Sequence, residues 1–167
     1  MNWNDKKVLV TGGASFIGSH LSEQLVRLGA KVRVAENFSS GERKHLENID
    51  CETLEGDLLD PSFCDQATIG VEVVFHLAAD HGGRGYIDSH PVECSTNMIL
   101  DGQVFRHAHK NGAEKIIFAS SGCVYPTSAQ MDVTKEVFLH EDMVTPPYEA
   151  DDLYGWAKLM AELSLKA

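Results

Sequence analysis

One stretch of the sequence constrains the fold more than any other: VLVTGGASFIGSHL, residues 8–21. Its first part is β-branched and apolar and predicts a strand, the glycines predict a tight turn, and apolar residues at helical spacing follow. Turns of this kind present backbone N–H groups and a helix amino terminus to a pyrophosphate. The stretch therefore predicts a strand–turn–helix unit that binds a dinucleotide.

The match of this stretch to the template G-x-G-x-x-G is incomplete. Gly13 and Gly18 occupy the outer glycine positions, whereas Ser15 stands where the middle glycine normally lets the backbone approach the phosphates. We expect the Ser15 hydroxyl to donate to a phosphate instead. The alternative is a glycine-rich turn that only permits close packing of the helix. The strand before the turn and the helix after it favour dinucleotide binding.

A carboxylate follows at the position that selects the dinucleotide. Glu36 ends the second apolar run of the sequence, roughly 20 residues beyond the glycine-rich turn. A carboxylate at that position accepts hydrogen bonds from the adenosine ribose and repels a 2′-phosphate. The sequence therefore predicts NAD as the cofactor in preference to NADP.

Strand and helix patterns alternate along the rest of the chain. Strands covered on both faces are predicted at residues 7–10, 31–35, 51–54, 71–77 and 115–119. Helices are predicted at residues 16–28, 61–67 and 91–110, and residues 127–151 form the longest irregular stretch. This alternation predicts right-handed crossovers and a parallel α/β sheet. With 43% of 167 residues hydrophobic, one domain over 1–167 is expected.

Composition excludes several classes of partner and site. The formal charge is −11 and the sequence has no basic run, so nucleic acid and anionic membrane surfaces are not expected partners. No apolar stretch has the length of a membrane span. The four cysteines contain no CxxC pair, so neither a disulfide framework nor a zinc site is indicated, and no metal is predicted. A cytoplasmic protein is expected.

The pentapeptide YGWAK supplies a second chemical motif. Tyr154 and Lys158 are four residues apart and share one face of a helix, with Asp151 and Asp152 as the expected amino-terminal cap. An ammonium about 5 Å from a phenol is worth on the order of 3 kcal/mol at a dielectric of about 20, or roughly two pKa units. Tyr154 is therefore predicted to accept a hydroxyl proton as hydride leaves the same carbon. The alternative is an ordinary tyrosine on a surface helix.

Several motifs together carry a family resemblance. TGGASFIG, Glu36, Asp57 in EGDLLD, VFHLAAD, SSGCVY and Tyr154 with Lys158 occur in that order. The chain resembles the extended short-chain dehydrogenases/reductases, the NAD-dependent nucleotide-sugar epimerases and dehydratases. The resemblance implies a Rossmann-type doubly wound sheet, a nucleotide-sugar substrate and a homodimer in the full-length protein. Members run to about twice this length, so we expect a NAD-binding domain truncated before the last strands and the substrate domain.

The same resemblance implies a set of site residues. Ser121 would hydrogen-bond the reacting hydroxyl beside Tyr154, and Asn97 matches a helix asparagine associated with the site. The positions assigned to the cofactor are Gly12, Gly13, Ser15, Phe16, Ile17, Gly18, Glu36, Asn37, Asp57, Leu58, Leu77, Ala78, Ala79, Tyr154 and Lys158. The positions assigned to the substrate are Gly82, Gly83, Arg84, Ser121 and Cys123.

Two further matches favour one subgroup. SSGCVYP resembles the subgroup of GDP-mannose 3,5-epimerase and GDP-fucose synthase, which carries a cysteine at the position of Cys123. LAADHGGRGYIDSHP resembles the glycine-rich substrate loop of the 3,5-epimerase. Oxidation of a sugar at C4 acidifies the C–H bonds at C3 and C5, and inversion there needs an acid and a base. A thiol can exchange protons at neutral pH. Cys123 would be one of the pair, and the resemblance implies a lysine or histidine beyond this sequence as the other.

Three functions remain open at this point. The first is 3,5-epimerisation of a GDP-hexose through a transient 4-keto intermediate. The second is a nucleotide-sugar 4-epimerase or 4,6-dehydratase that uses Ser121, Tyr154 and Lys158, with Cys123 as a buried inert thiol. The third is an NAD-binding fragment without catalysis.

Overall fold

The computed structural model describes residues 2–132, 134 and 136–167. Contacts divide the chain into two compact units. The first unit comprises the chain through Ala79 together with Gly102–Ala119, and the second comprises Asp80–Asp101 and Ser120–Ala167. Among the described helices, none is both long enough and apolar enough to cross a membrane.

A five-stranded sheet forms the centre of the first unit. Its strands are β1 (Lys7–Thr11), β2 (Lys31–Glu36), β3 (Glu52–Glu55), β4 (Val73–His76) and β5 (Lys115–Phe118). They lie in the order β3-β2-β1-β4-β5, and every neighbouring pair is parallel. The predicted parallel sheet is confirmed, and each strand end lies within two residues of its predicted position.

The strand order creates a ligand-binding edge in this unit. The chain adds β2 and β3 on one side of β1 and then returns to add β4 and β5 on the other. In doubly wound sheets, ligands bind outside the carboxyl ends of the strands at such a reversal. Here the reversal lies between β1 and β4, where Thr11 pairs with His76.

Seven helices are described along the chain. They are α1 (Phe16–Arg27), α2 (Pro61–Thr68), α3 (Arg84–Ser89), α4 (Pro91–Ser95), α5 (Asn97–Lys110), α6 (Thr127–Gln130) and α7 (Asp152–Lys166). Short 3₁₀ turns occur at Arg43–His45, Gly122–Val124 and Glu141–Met143. Helix α1 ends at the predicted glycine: Gly29 has φ +88°, and its N–H donates to the Val26 carbonyl at 2.9 Å.

Two sequence predictions about helices need correction. The single helix expected over residues 91–110 is divided at Thr96 into α4 and α5. Both the amide and the hydroxyl of Thr96 donate to the Glu93 carbonyl, at 3.0 and 2.6 Å, which tightens the backbone to an i→i+3 turn. The stretch 127–151 is also not wholly irregular, because it contains α6 and a 3₁₀ turn.

Buried β-branched side chains hold the first unit together. Val8, Val10, Val34, Val73 and Val74 are fully buried. Such side chains suit strands covered on both faces, where stiff, branched groups pack well. In the second unit, α7 packs on α4 and on the 3₁₀ turn Gly122–Val124. These contacts place one face of α7, including Lys158, in the interior of that unit.

Candidate active site

The turn between β1 and α1 is closed by its own serine. Ser15 is the N-cap of α1, and its hydroxyl accepts the Gly18 N–H at 3.1 Å and donates to the Gly12 carbonyl at 2.7 Å. The hydroxyl proton is therefore used inside the turn. The expectation that Ser15 donates to a phosphate is wrong for this structure, because the hydroxyl already donates its proton to the Gly12 carbonyl.

The shape of this turn suits a pyrophosphate. A Cβ placed on Gly18 would lie 2.2 Å from the Gly12 carbonyl oxygen and 2.7 Å from the Gly13 Cα, so only glycine fits. Phe16 and Ile17 begin α1 with exposed side chains. Their N–H groups belong to the first helical turn, which lacks intrahelical acceptors and favours an anion.

Glu36 braces the turn from the end of β2. Its buried carboxylate accepts the Ala14 N–H at 3.1 Å, the Asn37 N–H at 3.1 Å and the Phe38 N–H at 3.2 Å. One carboxylate oxygen receives only the Ala14 bond and keeps acceptor capacity for a ribose hydroxyl. Sequence patterns predicted a ribose ligand at Glu36; they did not predict that the same group holds the turn.

Thr11 organises the end of β4, which the sequence patterns did not indicate. Its hydroxyl oxygen accepts the N–H groups of Leu77 and Ala78, both at 3.1 Å, and lies 2.7 Å from the His76 Nδ1. Because both lone pairs are occupied, the hydroxyl proton points to Nδ1 and makes it an acceptor. Leu77, Ala78 and Ala79 are thereby held, half-buried, just beyond the sheet edge.

The other predicted cofactor positions of the first unit differ in exposure. Asn37 is exposed, and its side-chain oxygen accepts the Ser39 N–H at 3.0 Å. Asp57 is also exposed and accepts the Leu59 N–H at 2.9 Å, whereas Leu58 is buried. Asn37 and Asp57 follow the carboxyl ends of β2 and β3, respectively.

The second unit brings the predicted catalytic groups together. Tyr154 is partly buried near the start of α7, close enough to the Ser121 side chain for a hydrogen bond between them to lower the Tyr154 pKa. The Cys123 N–H donates to the Ser121 hydroxyl oxygen at 3.2 Å. Lys158 is 2% exposed, and its Nζ lies 5.9 Å from the centre of the Tyr154 ring. Serine, thiol and phenol thus form one cluster with a buried lysine behind the phenol.

The electrostatics of this cluster differ from the prediction. Burial raises the pKa of Tyr154 above its ordinary value, the neighbouring Cys123 raises it further, and the Ser121 hydrogen bond lowers it. Burial also lowers the pKa of Lys158, against the opposing effect of Asp101. The prediction that Lys158 brings the Tyr154 pKa down is wrong for this structure, because desolvation disfavours the phenolate and the ammonium alike.

The predicted substrate segment is partly helical. Gly82 and Gly83 are exposed, and Arg84 begins α3 instead of extending the glycine-rich loop. The Arg84 guanidinium pairs with Asp88 at 2.9 Å and also with Asp151. Asp151 holds the N-cap position of α7, but its side chain makes no capping bond, which corrects that expectation. The ion pair with Arg84 takes its place.

Asn97 fixes the backbone where the second unit begins. This fully buried side chain accepts the Asp80 N–H and donates to the Asp80 carbonyl, both at 2.8 Å. The Asp80 carboxylate in turn accepts the Tyr86 hydroxyl at 3.0 Å. Asn97 therefore orders the segment that precedes α3. No residue spacing pointed to this network.

Comparison with known proteins identifies the family to which the chain belongs. Residues 8–167 match the NAD dependent epimerase/dehydratase family. The chain belongs to that family. Members are NAD-dependent, which agrees with the cofactor predicted from Glu36. The resemblance to the NAD-dependent epimerases and dehydratases, inferred from the motifs, is confirmed.

Individual members of the epimerase/dehydratase family differ in activity at equal similarity. The chain is 34% identical over 158 residues to GDP-mannose 3,5-epimerase of Arabidopsis thaliana, covering 93% of this chain and 41% of that protein. It is 34% identical over 154 residues to UDP-N-acetyl-alpha-D-glucosaminuronate decarboxylase of Bacillus cytotoxicus, covering 90% and 43%. A solved structure of Thermotoga maritima UDP-glucose 4-epimerase with UDP-glucose has a TM-score of 0.80 at 30% identity, covering 96% of this chain and 50% of that one. The chain thus spans half or less of each relative.

The brace at Glu36 leads to a stability prediction. In Glu36→Gln an amide nitrogen replaces one carboxylate oxygen, so at least one backbone N–H loses its acceptor. We expect the free energy of unfolding to fall by about 1–3 kcal/mol, the cost of an unsatisfied buried donor. Urea unfolding measures the change.

Glu23→Gln is the matched control for Glu36→Gln. Glu23 lies on α1 and pairs with Arg27 at the surface, so the same substitution there should change the free energy by less than about 1 kcal/mol. Equal effects at both positions would contradict the bracing role of Glu36.

The hydrogen bond between Ser121 and Tyr154 leads to a titration prediction. Because this bond favours the phenolate, Ser121→Ala should raise the Tyr154 pKa further. The measurement is the ultraviolet absorbance of the phenolate against pH, with Tyr154→Phe subtracted to isolate this residue. Ser128→Ala, an exposed serine elsewhere, should leave the Tyr154 titration unchanged. An unaltered titration in Ser121→Ala would show that the bond is not formed in solution.

Proposed function

We propose that this protein is an NAD-dependent nucleotide-sugar epimerase of the cytoplasm that inverts C3 and C5 of a GDP-hexose through a transient 4-keto sugar. The observation that carries the proposal is the cluster in the second unit, where the Cys123 amide donates to the same hydroxyl that is hydrogen-bonded to Tyr154. A serine and a tyrosine suffice for C4 oxidation, whereas a neighbouring cysteine adds a group able to move protons at other carbons.

The first unit supplies the cofactor-binding residues in this proposal. The turn at Gly18 and the amino terminus of α1 bind the pyrophosphate, and Glu36 accepts from the adenosine ribose. Residues 77–79 line the cofactor beyond β4. The chemistry that bound NAD would supply there is the reversible removal of a hydride from C4 of the sugar. The close approach at Gly18 and the remaining acceptor capacity of Glu36 support this fit.

The second unit supplies the acid and base groups. Tyr154 acts as the phenolate, which takes the C4 hydroxyl proton and becomes the phenol, and Ser121 donates to the phenolate oxygen before that transfer. In the ligand-free protein, burial raises the Tyr154 pKa, so the phenol keeps its proton at neutral pH. The Ser121 hydrogen bond opposes this shift and favours the phenolate. The Lys158 Nζ lies 5.9 Å from the centre of the Tyr154 ring, and Asp101 opposes the lowering of the Lys158 pKa by burial.

Cys123 distinguishes this function from its alternatives. Once C4 is a ketone, the protons on C3 and C5 are acidic, and a thiol ionises close enough to neutral pH to remove or return them. A 4-epimerase, such as the Thermotoga relative, is the second candidate and needs Ser121 and Tyr154 without a reactive thiol. NAD binding without catalysis is the third. The second acid/base group is expected to be a lysine or histidine outside this sequence.

Substitution of the thiol tests the 3,5-epimerase proposal. With NAD, GDP-mannose and heavy water, Cys123→Ser should reduce deuterium incorporation at C3 and C5 by about 100-fold or more, while the C4 ketone still forms. Mass spectrometry of the sugar measures both. Cys51→Ser, a partly buried thiol of the first unit, is the control and should behave as wild type.

Each other outcome of this experiment has a separate meaning. Unchanged exchange at C3 and C5 in Cys123→Ser contradicts the 3,5-epimerase and favours 4-epimerisation. Calorimetric NAD binding by wild type without any turnover favours the third candidate.

We also propose that the protein forms a homodimer through α7. Leu153, Trp156 and Met160 recur at helical spacing on this helix and are 40%, 36% and 47% exposed. An exposed apolar stripe of this kind is typical of an interface. Trp156→Glu should raise the dimer dissociation constant by about tenfold or more in sedimentation velocity. Met131→Glu, exposed but outside α7, should leave it unchanged, and equal effects would contradict the proposal.

A further inference from the structure

Helix α7 touches the 3₁₀ turn Gly122–Val124 backbone to backbone at Gly155. A Cβ placed on Gly155 would lie 2.3 Å from the Cys123 carbonyl oxygen, 3.1 Å from its carbonyl carbon and 3.2 Å from its Cβ. The first distance is far below any van der Waals contact. The obstacle is main chain, so rotation of a side chain cannot relieve it. An alanine at this position would push the turn away from the helix.

Hydrogen bonds hold the same contact from both sides. The Asp151 N–H donates to the Cys123 carbonyl at 2.8 Å, and the Gly155 N–H donates to the Asp151 carbonyl at 3.0 Å. Further along α7, the Ser120 hydroxyl donates to the Glu162 carboxylate at 2.5 Å. Cys123 and Ser120 are thus bonded to the N-cap of α7 and to Glu162, respectively, and Gly155 lies between Asp151 and Glu162 along the helix.

The backbone conformation of Gly155 does not itself require glycine. Its φ lies outside the left-handed region, and it sits in the interior of a 15-residue helix. Glycine weakens a helix interior relative to alanine. Helical propensity therefore opposes glycine here, and the contact with Cys123 is the feature of the structure that requires it.

We infer that Gly155 is a positioning residue that sets the distance between Tyr154 and the turn that carries Ser121 and Cys123. Tyr154 precedes Gly155 directly, so any gap opened at Gly155 separates the phenol from the serine hydroxyl and the thiol together. This inference rests on the proposed function for its catalytic consequence. The geometric part stands on the contact alone.

Gly155→Ala tests the inference, with Gly102→Ala as the matched control. Gly102 lies inside α5, where an added Cβ meets nothing within 4 Å, so the same change there tests helix propensity without a collision. Three quantities are measured in each variant: hydrogen exchange of the Asp151 amide by NMR, the Tyr154 pKa by phenolate absorbance, and turnover of GDP-mannose with NAD.

The expected results separate the two glycines. In Gly155→Ala the Asp151 amide should exchange about tenfold faster or more, because it loses the Cys123 carbonyl. The Tyr154 pKa should rise as the Ser121 bond is lost, and kcat should fall about 100-fold, with the dissociation constant for NAD unchanged within about twofold. Gly102→Ala should match wild type in all three measurements.

The inference is overturned if Gly155→Ala keeps wild-type Asp151 exchange and the wild-type Tyr154 pKa. If wild type itself shows no turnover, the proposed function fails, while exchange and titration still decide the positioning role. Should Gly155→Ala not fold, Asp151→Pro removes the donated N–H together with the carboxylate that pairs with Arg84, and Asp151→Ala removes the carboxylate alone; the Asp151 φ of −86° lies close to that of proline. Compared with Asp151→Ala, Asp151→Pro should raise the Tyr154 pKa; equal titrations in these two variants would contradict the inference.

Discussion

The carboxyl edge of the first unit depends on buried polar groups that satisfy each other. Thr11 accepts two backbone N–H groups from the chain that leaves β4, and Glu36 accepts one from the glycine-rich turn and two from the chain that leaves β2. A buried N–H without an acceptor costs as much as a lost hydrogen bond, so these two side chains fix where β1, β2 and β4 end. These hydrogen bonds are all made within the chain, which suits a site that must hold a dinucleotide.

In the second unit, burial and nearby charges shift the pKa of Lys158 in opposite directions. Lys158 is almost completely buried, and desolvation lowers its pKa despite the Asp101 carboxylate nearby. Tyr154 shares this environment, so its phenolate is disfavoured as well. For Lys158, burial outweighs the attraction to Asp101, because moving the ammonium out of water costs more free energy than that attraction returns. The hydrogen bond from Ser121 is therefore the main local feature that favours the reactive form of the phenol.

The prediction from sequence was accurate where the signal is periodic and local. Strand ends fell within two residues, and the helix that begins at Phe16 and stops before Gly29 matched its pattern. The prediction was wrong where one side chain could choose between two hydrogen-bond or ion-pair partners. Ser15 used its hydroxyl within the turn, and Asp151 paired with Arg84 instead of capping α7. Residue type limits which bonds a side chain can make, but only distance decides which one forms.

The sequence by itself determined the parallel sheet, the order of its strand and helix segments, and membership of the NAD-dependent epimerase/dehydratase family. Hydrophobic period and turn residues act over a few positions, so they can be recognised along the chain. Only the tertiary structure decided the direction in which the Tyr154 pKa shifts and the contact between Gly155 and Cys123. Burial and a main-chain approach between residues 32 positions apart arise only when the chain has folded.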